Sequence, residues 1–162
     1  PHDYNTFLNE YPDMGGSYEV IHHTQFLKNL VHDGTLKMSG AMKGKSVTFH
    51  DPCYLGRANN EYDAPRDVLK ALGVDSKEMK RHKSFALCCG AGGGQMFKEA
   101  EKGDKEVFIE RIEDAMETRS EIVVTACPFC MVMMTDGIKY KNKEDEMKNY
   151  DIAELVSMDM GL

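Results

Sequence analysis

The chain has 162 residues, 41% of them hydrophobic and 29% charged, and a formal net charge of −7. That length fits one domain with a sizeable core that needs no disulfide staples. The acidic balance argues against binding a nucleic-acid backbone or other acidic partners, no apolar run nears the ~20 residues of a membrane span, and no signal peptide opens the chain.

In chain order, residues 18–23 read as a strand, followed by a helix over 24–32 that Asp33-Gly34 ends. A polar linker, 35–45, leads to a strand over 46–50. Asp63 is the expected N-cap of the next helix, with Pro65 in its first turn. Val68, Leu69 and Leu72 give that helix an apolar face, and Gly73 stops it. A strand over 84–87 then runs into the glycine loop Gly90-Ala91-Gly92-Gly93-Gly94. Val107, Phe108, Ile112 and Ala115, with Met116 beside them, mark a helix over 105–118. A strand over 121–126 follows, Pro128 opens a helix through 134, and a last strand covers 150–155 after a charged stretch. Strands alternating with helices over short connections predict an α/β, Rossmann-like fold with a mainly parallel sheet flanked by helices. The twelve methionines are scattered through helical stretches and read as adaptable core filler.

The chemistry is expected at the cysteines. Cys53, the adjacent pair Cys88-Cys89, and Cys127 and Cys130 as C-x-x-C each follow a short apolar β-type run. If the three runs are parallel strands, their carboxyl ends converge where such sheets bind ligands. An odd number of thiols, two of them neighbours, with no secretion signal makes a poor disulfide framework and points to a reducing compartment. Five thiols in one place form a soft, anionic pocket suited to iron-sulfur or another thiophilic metal. Zinc and an ordinary cubane cluster each take four ligands, so five invite a larger or less regular assembly. Adjacent cysteines meet one centre best where a strand gives way to a tight turn, which Gly90 provides. A C-x-x-C pair at a helix start turns both sulfurs to one side and favours thiolate.

Other readings are weighed beside this one. Some of the cysteines can be buried small hydrophobes. A thioredoxin-like dithiol at Cys127 and Cys130 leaves Cys53, Cys88 and Cys89 without a role. The run from Gly90 to Gln95 brushes against a nucleotide-binding loop but lacks the lysine and Ser/Thr of a P-loop, and has Gln95 where a dinucleotide fingerprint wants glycine or alanine. Backbone N–H groups of a glycine loop also suit an anionic cluster. His50 is read as a structural histidine first and as a group near the cluster second; Arg57 and Arg66 as surface ion-pair partners first; Asp51 as a turn former.

The two ends of the chain echo each other. Pro1-His2-Asp3, followed by Tyr18-Glu19-Val20, matches Pro128-Phe129-Cys130, followed by Tyr150-Asp151-Ile152. The echo predicts that residues 1–45 are the end of a preceding repeat packed on a main domain, 46–162, so that the chain is the carboxyl-terminal portion of a longer protein. The first residue not being methionine agrees with that expectation.

The segments His50-Asp51-Pro52-Cys53-Tyr54-Leu55-Gly56-Arg57, Cys88-Cys89-Gly90-Ala91-Gly92-Gly93-Gly94 and Cys127-Pro128-Phe129-Cys130 together closely resemble the cysteine-rich CCG domain. That domain occurs in a cysteine-rich subunit of heterodisulfide reductase, in iron-sulfur subunits of glycolate, lactate and glycerol-3-phosphate oxidoreductases, and in membrane-associated partners of electron-transferring flavoproteins. The resemblance implies a domain that usually occurs twice and, in members of the heterodisulfide reductase type, a noncubane 4Fe-4S cluster held by five cysteines. Cys53, Cys88, Cys89, Cys127 and Cys130 fill those positions, with Gly90 beside them, whereas Asp3 departs from a full cysteine set in the preceding repeat. It further implies an oxidoreductase subunit passing electrons, with disulfide or quinone-linked reduction at the cluster, and other redox subunits or an upstream iron-sulfur or flavin module as partners. The expected location is cytoplasmic, including the cytoplasmic face of a membrane complex. The alternative kept is a structural zinc-binding or docking module of a larger redox complex.

Overall fold

Val47 and Phe49 alternate with Thr48, and Ile122 and Val124 with Val123 and Thr125, yet all seven are buried. That is the signature of strands covered on both faces. The structure, a computed structural model, describes residues 1–100 and 102–162. Among them four strands, β1 (Ser46–Phe49), β2 (Asp75–Lys77), β3 (Ile122–Thr125) and β4 (Lys148–Asp151), pair in the order β2-β1-β3-β4 with every ladder parallel. One face is covered by α2 (His23–His32), α3 (Asp63–Leu72) and α6 (Ile152–Met160), whose Val68, Leu69, Leu72, Ile152 and Leu155 meet Val47, Phe49 and Val124. The other is covered by α4 (Val107–Glu117) and α5 (Pro128–Tyr140), which put Ile112, Ala115, Met134 and Ile138 against Val123. The two helices of that layer come close at Gly137, where a Cβ would lie 3.0 Å from the Ile112 side chain. An α1 turn (His2–Asn5), continuing as further helical turns to Met14, precedes this three-layer frame.

The α/β, parallel-sheet expectation holds, but four elements differ from the sequence reading. Residues 18–23 form no ladder; His22 instead caps α2, its ring Nδ1 accepting from the Thr24 amide while the Gln25 side chain accepts from the His22 amide. No strand forms over 84–87. That stretch is a short 3-10 turn, Lys83–Phe85, and Phe85 is 85% exposed. The edge beside β1 is taken instead by Asp75–Lys77, a polar strand that offers no apolar pattern to read. The expected strand over 150–155 is β4 followed by α6, because Asp151 and Glu154 form a capping box at its start. The buried stripe of α4 runs through Ile109, Ile112 and Ala115 together with Arg111 and Asp114, leaving Val107 exposed. At α3 the capping oxygen comes from Glu61, which accepts from the Asp63 and Ala64 amides, so Asp63 is the first helical residue and not the cap.

The polar stretch 35–45 is held as tightly as the elements around it. Asp159, buried near the end of α6, accepts from the amides of Ser39 (2.6 Å), Met42 (2.9 Å) and Gly40 (3.3 Å). Burial opposes its ionisation, but those three amides outweigh it and hold its pKa below the usual aspartate value. Asp159→Ala is expected to cost about 2–4 kcal/mol, because it orphans amides that bond a charged group; chemical denaturation measures it. Since the folded-state pKa is depressed, the Asp159 contribution is complete above the unfolded pKa, and should fade as pH falls through the folded one.

Candidate metal centre

The chain runs from β1 outward to β2, then returns across the sheet to add β3 on the other side of β1. The winding therefore reverses between β1 and β3, and such a reversal opens a crevice at the carboxyl ends of the two strands. Cys53 lies four residues beyond β1, and Cys127 two beyond β3. The crevice is thus flanked by one thiol on one side and by the C-x-x-C on the other, where Cys127 caps α5 and Pro128 fills its first turn.

Cys88 and Cys89 arrive from a loop rather than from a strand, and side-chain bonds fix that loop. Buried Asp51 accepts from the Lys83 amide (2.8 Å) and from both terminal nitrogens of Arg66 (2.8 and 3.0 Å). Arg66 continues to Glu78 (2.6 and 2.9 Å). Arg57 donates to the Ala86 carbonyl at 2.5 Å. Asp51 therefore ties the Cys53 turn to the segment carrying the cysteine pair, a larger role than shaping the turn before Pro52; Arg57 holds that segment by its backbone, and Arg66 pairs with Glu78 at the surface as expected while also reaching buried Asp51. Gly90 follows the pair at φ +91°, the left-handed region that costs residues with a Cβ. An added Cβ would also press on the Phe108 amide at 3.3 Å.

All five sulfurs line one cavity. The pocket sets the thiols side by side, Cys88 next to Cys53 and Cys89, and Cys130 next to Cys89 and Cys127, each within electrostatic reach of the next. No disulfide forms, and Cys89, Cys127 and Cys130 are buried. Backbone N–H groups face the same set: Gly90 donates to Cys88 Sγ at 3.3 Å, and the first amides of α5 follow directly on Cys127, its N-cap residue. These donors divide the charge unevenly. The neighbouring Cys53 and Cys89 thiols, with the Gly90 amide, pull the Cys88 pKa far down. The Cys130 thiol and two amides at the head of α5 bring Cys127 down to about 6. Cys89 is pushed up to about 11: the Cys130 thiol lowers it, and Cys88 and burial outweigh that pull. Cys53, beside Cys88, and Cys130, beside Cys127 and Cys89, are raised as well. Five adjacent sulfurs without a cation cannot all be thiolates, so they share protons; a metal would replace those protons and release them.

Two neighbours were not read as site residues in the sequence. His2 approaches Cys127 Sγ with its Nδ1 at 3.9 Å, and its ring packs on Tyr54 and Phe129 with centroids 4.5 and 4.7 Å away. Together with Pro1, these rings close the mouth of the sulfur cavity. Fully buried Arg111 donates from Nε to His50 Nδ1 at 2.9 Å, and from Nη1 to the Arg81 carbonyl (2.6 Å) and Asp114 (3.3 Å). No sequence signal marked Arg111, since an arginine on an amphipathic helix is ordinarily exposed. A wider cleft beside Phe108, Met133 and Tyr140 reaches Gly90 from outside, but its lining offers no thiols.

The donor set is soft and uniform. Five sulfurs converge, no carboxylate lines the cavity, and amide N–H groups face the sulfurs. That combination fits an iron-sulfur centre, for which thiolate ligation and N–H···S bonds are the protein's contributions.

Residues 47–135 match the model of the CCG cysteine-rich domain, and the chain belongs to that family. Three curated relatives narrow the comparison. The chain is 46% identical over 158 residues to a probable iron-sulfur-binding oxidoreductase, FadF, of Bacillus subtilis, covering 97% of this chain and 22% of that protein. It is 45% identical to the EtfAB:quinone oxidoreductase of Syntrophomonas wolfei, with 96% and 22% covered. It is 41% identical to one subunit of the dihydromethanophenazine:CoB–CoM heterodisulfide reductase of Methanosarcina barkeri, with 90% and 35% covered. The chain thus spans between a fifth and about a third of the length of these relatives.

Proposed function

We propose that Cys53, Cys88, Cys89, Cys127 and Cys130 ligate one iron-sulfur cluster and that this chain is the electron-carrying portion of an oxidoreductase subunit. The observation that carries this reading is the convergence of five cysteines on one cavity at the switch point of a parallel sheet. When bound, such a cluster supplies one-electron storage and transfer. The chain's own groups do the rest. Cys88 and Cys127 are the sulfurs held most readily as thiolates, Cys88 accepting from the Gly90 amide and Cys127 standing at the amino end of α5. The fold brings the Cys88-Cys89 loop to its place through Asp51, and the His2, Tyr54 and Phe129 rings line the mouth.

A five-sulfur set favours the noncubane 4Fe-4S type over a cubane, and leaves a thiol over for zinc. In the whole protein we propose quinone-linked or disulfide reduction, with other redox subunits or an upstream iron-sulfur or flavin module as partners, in keeping with the names of the three relatives. A cytoplasmic location, including the cytoplasmic face of a membrane complex, belongs to the same proposal; no helix among the described residues is long and apolar enough to cross a membrane.

The repeat reading of the amino-terminal 45 residues is likewise proposed. α1 begins directly after Pro1, and an extended stretch and a capping box at His22 precede α2; α5 begins at Pro128, and β4 and a capping box at Asp151 precede α6. The same order of elements at the two ends supports a preceding copy that ends at about residue 45. Anaerobic reconstitution with iron and sulfide, followed by metal and acid-labile sulfide analysis and electron paramagnetic resonance, tests the function: iron with sulfide is expected, and zinc alone without sulfide would refute it.

A further inference from the structure

His50 follows β1 and is 1% exposed, with a ring nitrogen and the Cys89 and Cys130 sulfurs all within 4.8 Å of one another. Its Nδ1 is already engaged, accepting from Arg111 Nε at 2.9 Å. A guanidinium can only donate, so that nitrogen must present its lone pair. The ring proton therefore sits on Nε2, which is buried and has no partner. Orphaned buried donors are uncommon in native proteins and point to a missing acceptor. The same tautomer forbids ligation through Nε2, since metal binding there would require the lone pair on Nε2 and the proton on Nδ1, facing the Arg111 N–H.

We infer that His50 is not a sixth ligand but a fixed donor, whose Nε2–H bonds a cluster sulfur of the Cys89 and Cys130 pair and raises the reduction potential of the centre. This rests on the iron-sulfur reading above. Donors to ligand sulfur stabilise the more negative, reduced state. Arg111 is the positioning residue for that donor. Asp114 and the Arg81 carbonyl fix its guanidinium, and Arg81 pairs with Asp114 at 2.6 and 2.7 Å from the far side. The ring thus has one orientation and one tautomer, set from outside the metal pocket.

Two measurements on anaerobically reconstituted protein test this. In redox titrations followed by electron paramagnetic resonance, His50→Leu is expected to keep its iron and sulfide and to shift the one-electron reduction equilibrium at least tenfold toward the oxidised form, about 59 mV in midpoint potential. His50→Gln, which retains an N–H, is expected to stay within about threefold of wild type by the same conversion. In pulsed resonance on protein carrying ¹⁵N-histidine, a weak coupling typical of a hydrogen-bonded nitrogen is expected, and its loss in His50→Gln assigns it. Should His50→Leu not fold, this second comparison decides alone. Equal potentials in wild type and His50→Leu at full iron content would overturn the role of His50 and leave the cluster standing. So would a coupling as large as that of a ligating imidazole. Wild-type protein that takes up no iron would overturn the cluster and this role together.

Discussion

Cys88→Ser and Cys89→Ser are each expected to lose most of the reconstituted iron and sulfide, or to change the paramagnetic spectrum of what remains. Serine replaces a soft, ionisable thiolate with a hard hydroxyl whose proton stays on at neutral pH, and iron-sulfur ligation disfavours that exchange. The two thiols are also central to the sulfur set, since Cys88 neighbours Cys53 and Cys89 neighbours Cys130. Cys127→Ser serves as the positive control, because every metal reading uses that residue. A redox dithiol confined to Cys127 and Cys130 needs only its own two sulfurs. Unchanged iron content and an unchanged spectrum in both pair variants would therefore eliminate the five-cysteine site. Loss in one variant alone would leave a four-thiolate cluster.

Arg111→Met is expected to destabilise the protein by about 3 kcal/mol. The side chain is fully buried and serves three acceptors, His50, Asp114 and the Arg81 carbonyl. Methionine fills much of the volume but leaves those acceptors in a dry interior, where each lost bond carries its full desolvation penalty. Asp114 retains Arg81, which limits the damage. For a chain of this length the expected fall in melting temperature is about 6–12 °C, measured by differential scanning calorimetry. A loss below about 1 kcal/mol would mean that the network repacks around the deletion or admits water.

The parallel α/β architecture was legible because β1 and β3 are apolar, short and punctuated, and because α3 and α5 carry proline in their first turn and apolar residues behind it. The cysteine set was legible for a related reason: Cys53 and Cys127 sit just past those two strands. The route to Cys88 was not. Phe85-Ala86-Leu87 has strand composition, yet Asp51 and Arg57 hold that segment out of the sheet by bonds to its backbone, and no local pattern reports a contact across about 30 residues. The capping box at Asp151 and Glu154 competes with the strand composition of the apolar residues between them, and the box wins because it satisfies amides at the helix start. His2 and Arg111 lay beyond local reading altogether, since each acts through a tertiary contact with a residue more than 60 positions away.

The order of the sheet bears on how the protein is made. β1 finds its partner β3 only after some 75 further residues exist, as Val47 pairs with Ile122. A ribosome adding ~5–20 residues each second presents Cys53, Cys88 and Cys89 for ~2–8 s before Cys127, 127 − 89 = 38 positions on, is available. During that interval three nucleophilic sulfurs are tethered to a nascent chain whose metal pocket has no second wall. Premature metal capture or oxidation would then compete with closure of the crevice. A site that needs all five sulfurs can therefore be completed only after Cys127 and Cys130 have been added.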